Sequence, residues 1–286
     1  MKVDVTSPAQ WTLAFLVTAS SILLTYSLLP SALAYPVAGG TAIGLFSLFA
    51  VPLWIFYRKI HSRVTVPPSA LVLGLIWGAT VSVMASLYGS GAVRGLLAGS
   101  VNSAWAERWV PVLGAPVVEE SVKAAGVILV ATIAYPRFRS VLDGLLLGAF
   151  CGAGFQIIEG FAYAMSTVVL HRAGDDVAPV ISVFIVRGIL AGLWSHAVYT
   201  AIVGAGIAYA LLHQNARGAL LAWGAWLFAV LCHALWNSPF LRDGAGLGVW
   251  GTLSGVILKG LPAVVVVVWL ARWLLRCTDH ATATAR

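Results

Sequence analysis

Runs of about 20 consecutive apolar residues, the length that carries a helix across a hydrocarbon core about 30 Å thick, recur along nearly the whole chain. In lipid every backbone polar group must find its partner inside the protein, which leaves helices or a closed barrel, and runs this long select helices. Only 9% of the 286 residues are charged and 60% are hydrophobic, whereas a water-soluble domain carries about 25% charged residues. A soluble globular protein is thereby excluded. The apolar runs leave no stretch for a separate extramembrane domain, so the sequence predicts one all-α, polytopic membrane domain over residues 1–286.

Charge, Pro and Gly bound eight predicted transmembrane helices, at 10–30, 38–57, 69–89, 109–135, 141–170, 188–212, 218–237 and 248–274, with a tail at 275–286. If both termini are cytoplasmic, the inner side collects Lys2, Arg58, Lys59, Arg63, Arg137, Arg139, Arg217, Arg272, Arg276 and Arg286. Arg94, Arg108, Arg172 and Arg242 remain outside, which is the positive-inside pattern for this orientation. The net charge of +7 comes from basic residues scattered singly between apolar runs, a pattern of membrane loops and not of a nucleic-acid surface. Cys151, Cys232 and Cys277 are too widely spaced for a disulfide framework or zinc knot. The first run has the length of a full span and reads as a retained helix, not a cleaved leader.

An ionisable group inside a bilayer costs several kcal/mol unless paired, hydrated or neutralised, so each one marks a candidate functional position. Helix four carries Glu119, Glu120 and Lys123 in PVVEESVKAAG, and helix five carries Glu159 in GFQIIEGFAYA. Helix six carries His196 in LWSHAVYTAIVG, and helix seven carries His233 and Asn237 in CHALWNS. Counted from the predicted cytoplasmic ends at 1.5 Å per residue, Glu119, Glu159, His196 and His233 all stand at roughly 22 to 27 Å. They share one layer in the outer half of the core.

Two imidazoles and several carboxylates in one layer are the ligand types of a mononuclear zinc site with a fourth position for water. A further Glu that leaves the metal alone can take the proton from that water. Lys123 lies i+4 from Glu119 and i+3 from Glu120, so it can pair with either and leave the other free. Asn237 stands one turn beyond His233 on the same face, where its amide could hold a ligand or an oxyanion. Gly144, Gly148, Gly152 and Gly154 make helix five a surface that other backbones can approach closely.

The motifs EESVK, Phe155 to Glu159 as FxxxE, His196 to Gly204 as HxxxxxxxG, and a final His at His233 occur in order on successive helices. Together they resemble the PrsW family of bacterial intramembrane proteases, distant relatives of the CAAX prenyl endopeptidases and bacteriocin-processing membrane proteases. The resemblance covers about 109–240 as a four-helix catalytic core, leaving three accessory helices at 10–89 and a C-terminal helix. It implies Glu119 and Glu120 as the catalytic carboxylates, one or the other being the base with the resemblance leaning to Glu119, and Glu159, His196 and His233 as ligands of a zinc ion or activators of water. The implied substrate is a membrane-anchored protein, such as a single-pass anti-sigma factor, cut near the outer half of the bilayer.

Other readings of the same residues remain. Glu119 with Lys123 could be a packing ion pair, Glu159 could pair with Arg187 or Arg172, and either His could be a neutral interhelical hydrogen bonder. A proton-coupled transporter also places Glu, His and Lys in its spans, and a non-catalytic assembly factor could keep the fold. A metal-free mechanism, with Glu and His activating water and Asn237 holding the oxyanion, uses the same groups. Lys259 is expected to snorkel, and His61, His213 and His280 to be solvated.

Overall fold

A computed structural model describes residues 6–172, 174–192, 195–238 and 247–284, with side chains described as far as Cys277. Lys2, Trp194, Arg242, Arg286 and the side chain of His280 lie outside the described residues. Among the described residues the architecture is all helical, in chain order α1 Pro8–Ala34, α2 Pro36–Arg63, α3 Pro68–Ser100, α4 over 103–134, α5 Val141–Leu170, α6 Ala178–Leu190, α7 His196–His213, α8 Ala216–Asn237 and α9 Gly248–Thr284. Seven of these are long and apolar enough to cross a membrane. The regular part of α4, Ala115–Ala134, is 20 residues long and of spanning length as well, but carries Glu119, Glu120 and Lys123 in its first half.

The protein's outer face is itself apolar. Phe15, Leu96 and Leu220 are each more than 70% exposed, a surface that water would not tolerate and lipid does. The helix at the centre is α5, buried on all sides along most of its length. Its small residues explain how: a Cβ added at Gly148 would run into the carbonyl of Thr200, and one at Gly152 into that of His196, both on α7. On the opposite face Gly154 lies against the carbonyl of Leu75 on α3. Backbone contact on both sides fixes α5 between α3 and α7 without help from large side chains.

Three expected boundaries and one expected side-chain placement are corrected. The third span continues to Ser100 instead of ending near 89, because its Gly and Ser residues serve as packing surface and not as breakers; Gly89 faces Val118 of α4. The single span expected at 188–212 is two helices, α6 ending at Leu190 and α7 starting at His196. Ser195 marks the break, donating its hydroxyl to Gln156 Oε1 of α5 at 2.8 Å. The tail expected from 275 is helical through Thr284. Lys259 does not snorkel: it is 8% exposed and its Nζ donates to the carbonyls of Ser238 at 2.7 Å and Trp236 at 3.4 Å. A cation there serves the unpaired carbonyls that close α8. His61 and His213 are exposed, as expected.

Asp143, in the first turn of α5, holds the end of the bundle opposite the acidic layer. It is fully buried and accepts from the Thr65 amide and hydroxyl at 2.7 Å each, the Val66 amide at 2.9 Å, and the Arg139 and Ser140 amides at 3.0 and 2.8 Å. Two loops thereby close onto one carboxylate. Asp143→Ala is expected to lower stability by about 3 kcal/mol, since it leaves several inward donors unpaired. Thermal unfolding in detergent reads this, and hydrolysis per folded molecule should be unchanged, because Asp143 and Glu159 are 16 residues apart on α5, about 24 Å along the helix.

Candidate active site

The wider turn Val110–Gly114 and Pro116 set the start of the regular part of α4, and the next turn presents Glu119, Glu120 and Lys123 inward. His196 is the first residue of α7, placed by the break that Ser195 and Gln156 hold. His233 comes from the last turns of α8. Glu119, Glu120, His196 and His233 each offer one ligand-type atom, and these atoms all lie within 4.8 Å of one another. All four residues are buried, and Lys123 stands with them at 0% exposure.

Lys123 is the hub. Its Nζ lies 2.9 Å from Glu120 Oε1 and 3.6 Å from Glu119 Oε2, donates to His196 Nδ1 at 2.9 Å, and stands 3.8 Å from the centre of the Phe155 ring. Glu120 is fully committed: besides Lys123 it meets His233 Nδ1 at 3.1 Å and Thr200 Oγ1 at 3.4 Å. His196 Nε2 meets Glu159 Oε2 at 3.1 Å, and Arg187 Nη2 donates to the same oxygen at 2.9 Å. Arg187 also stacks over Tyr163, 3.6 Å from the ring centre. A carboxylate only accepts, so Glu120 takes the Nδ1 proton of His233 and Glu159 the Nε2 proton of His196, which assigns both tautomers.

Glu119 differs from its neighbour. Ser86 of α3 donates to its Oε1 at 2.7 Å, while Oε2 is buried with no hydrogen-bond partner. Glu119 also lines a cavity of about 400 Å³ between α3, the start of α4 and α5, whose walls include Ser90, Arg94, Pro111 and Glu159. Of the two acidic residues in EESVK, this one alone faces open space.

Of the expected site residues, the structure brings together Glu119, Glu120, Lys123, His196 and His233. Glu159 stands one step out: it contacts His196 but is not among the four that share the 4.8 Å group, and its ion pair with Arg187 is one of the pairings the sequence left open. Asn237 does not reach the cluster. Its Nδ2 donates to the Pro111 carbonyl at 2.8 Å, tying α8 to the wider turn of α4. Ser86 and Gln156 were not anticipated; both are polar groups on apolar helices, and that was the available signal.

The donor set fits a divalent cation. Oxygen and nitrogen ligands bind zinc at about 2.0–2.2 Å, so an ion bridges a gap that a hydrogen bond cannot. Glu119 Oε2, which makes no hydrogen bond, and the free Nε2 of His233 face each other at 3.8 Å, so a metal here would find both donor types side by side. His233 is backed by Glu120 on Nδ1 and keeps Nε2 free, the arrangement that orients a metal-binding imidazole, whereas His196 has Glu159 on Nε2 and Lys123 on Nδ1, so it would offer a ligand nitrogen only where the ammonium gives way.

A family model described as PrsW family intramembrane metalloprotease matches residues 66–274. The match takes in α3 and α9 as far as Leu274 as well as the expected core, and leaves α1 and α2 outside. No curated protein and no solved structure matches the chain.

Proposed function

Because the chain belongs to the PrsW family of intramembrane metalloproteases, and so is a multi-pass peptide hydrolase acting on a membrane protein, we propose that it cuts a single-pass, membrane-anchored protein in the outer half of the bilayer, with both of its own termini in the cytoplasm. The observation that carries this reading is Glu119: one oxygen fixed by Ser86, the other free of hydrogen bonds and held only by the longer 3.6 Å ion pair with Lys123, at the wall of a cavity and beside two imidazoles.

Glu119 is the base. It takes one proton from the attacking water as the water oxygen bonds to the scissile carbonyl carbon, and passes it to the amine nitrogen as the C–N bond breaks. Glu120 and Glu159 are positioning groups, fixing the rings of His233 and His196, and Arg187 holds Glu159 in turn. Lys123 keeps Glu120 in place and occupies the middle of the group. His233 through Nε2 and, where Lys123 gives up its Nδ1, His196 would hold the metal beside Glu119, and the metal when bound would polarise the carbonyl and acidify water. Nitrogen and carboxylate donors of this kind point to zinc.

Purified in detergent without chelator, the protein is expected to carry about one zinc per chain, and the His196→Ala/His233→Ala variant, still monodisperse, to carry almost none. Elemental analysis decides it. A folded, active wild type with no metal would sink zinc and leave the Glu and His groups to activate water alone. The substrate class is tested by mass spectrometry of single-pass proteins, including anti-sigma-factor types, co-expressed with wild type and with Glu119→Gln; cuts confined to soluble proteins would overturn it.

A further inference from the structure

The cavity that reaches Glu119 has one wall made by a single face of α3. Ser86, Ser90 and Arg94 follow one another at intervals of four residues, so they stack along one stripe, and all three line the cavity. Each is in a different state. Ser86 is engaged with Glu119. The Ser90 hydroxyl is sealed from solvent and has no hydrogen-bond partner, which is unfavourable for a buried polar atom and suits a site that waits for one. Arg94 is exposed, and its guanidinium makes no ion pair or hydrogen bond among the described residues. Beside it Gly91, on the same wall, leaves open space where a side chain would stand.

We propose that this stripe is the track along which the substrate lies, with Ser90 bonding the peptide backbone and Arg94 selecting a carboxylate on the substrate's outer side. The proposal rests on the protease reading above. From Ser86 to Arg94 the helix rises about 12 Å. An extended peptide covers that in about four residues at 3.3 Å each, so the selected residue is an Asp or Glu about four positions outward from the scissile bond. Charge favours this choice: Glu159, the other carboxylate of the cavity, already has Arg187, which leaves Arg94 as a cation at the mouth with no counterpart among the described residues.

The test uses the full-length protein in phosphatidylcholine liposomes and a panel of fluorescent single-span peptides, each with one Asp, Lys or Ala walked through the outer juxtamembrane segment. Wild type is expected to cut and bind the peptide with Asp at one outward position about fivefold better than that with Lys, the scale of a partly exposed ion pair. Arg94→Glu should invert the preference, and Ser90→Ala should weaken all peptides alike without changing it. Arg94 is exposed, so its variants fold. Cutting with no charge preference, or an Arg94→Glu loss that is equal for all peptides, overturns the track and leaves the protease reading intact. An effect that follows added phosphatidylglycerol and not peptide charge assigns Arg94 to lipid headgroups and equally overturns it. If no peptide is cut, the protease reading fails, and binding decides the track: an inverted preference keeps it, and none removes it.

Discussion

Glu119→Gln is expected to lower peptide-bond hydrolysis by about a thousandfold, within the range of 10² to 10⁴ that a positioned general base contributes, while the protein elutes as a single folded species. The amide is isosteric and can still accept from Ser86, which now sits 2.7 Å from Oε1. Lys123 keeps its closer partner, Glu120 at 2.9 Å, and gives up only the 3.6 Å contact. Loss of activity therefore cannot be charged to loss of fold. Glu159→Gln gives the contrast: it acts through the ring of His196 and should lower hydrolysis by only about 10- to 100-fold, the effect of removing a partner of a metal-binding imidazole. Cleavage of a single-span substrate in liposomes, with the two variants side by side, measures both. A folded Glu119→Gln protein that cuts at the wild-type rate would remove Glu119 from the reaction and pass the role of base to Glu159, the other carboxylate on the cavity wall.

Hydropathy made the spans legible because lipid imposes a single rule on them: bury the backbone, expose apolar side chains. That rule places α5 and α8 within a residue or two, and it makes a buried charge conspicuous, which is how Glu119, Glu120, Lys123, Glu159, His196 and His233 could be found on separate helices. It says nothing about where a helix stops within the membrane. The residues around the α6–α7 break are as apolar as a span, and the break is seen only in the structure, where one helix ends at Leu190, the next starts at His196, and Ser195 is bonded to Gln156. Nor does it say which polar side chain meets which. Ser86 lies in a run of small residues that reads equally well as packing surface, and its role follows from α3 reaching α4 33 positions later in the chain. Asn237 and Lys259 show the same limit from the other side: the first lies on the face of His233 and the second amid apolar residues, yet both are occupied with backbone carbonyls at helix ends. Non-local pairing decides these, and periodicity cannot.

Lys123→Met is expected to destabilise the protein by about 3 to 5 kcal/mol, the usual result of removing one partner from a buried ion pair, and to abolish hydrolysis. Against a total stability of roughly 5 to 15 kcal/mol, that is enough to cut the yield of folded protein sharply. The reason is local. Lys123 is fully buried, and without it Glu120, also fully buried, keeps only His233 and Thr200 as partners, while Glu119 Oε2 loses the cation 3.6 Å away. Arginine should not substitute, since its planar fork has no room between Glu120, His196 and the Phe155 ring that now stands 3.8 Å from the ammonium. Adding Glu120→Gln to Lys123→Met removes the stranded charge and should restore most of the stability, because a buried pair replaced on both sides is often close to neutral. It should restore none of the activity, since His233 then lacks the carboxylate that orients it. Thermal unfolding and cleavage measured on the two variants separate the ion pair's part in the fold from its part in the chemistry. A single Lys123→Met variant as stable as wild type would show that another cation, the bound metal, already compensates the carboxylates, and that the lysine is there for the reaction alone.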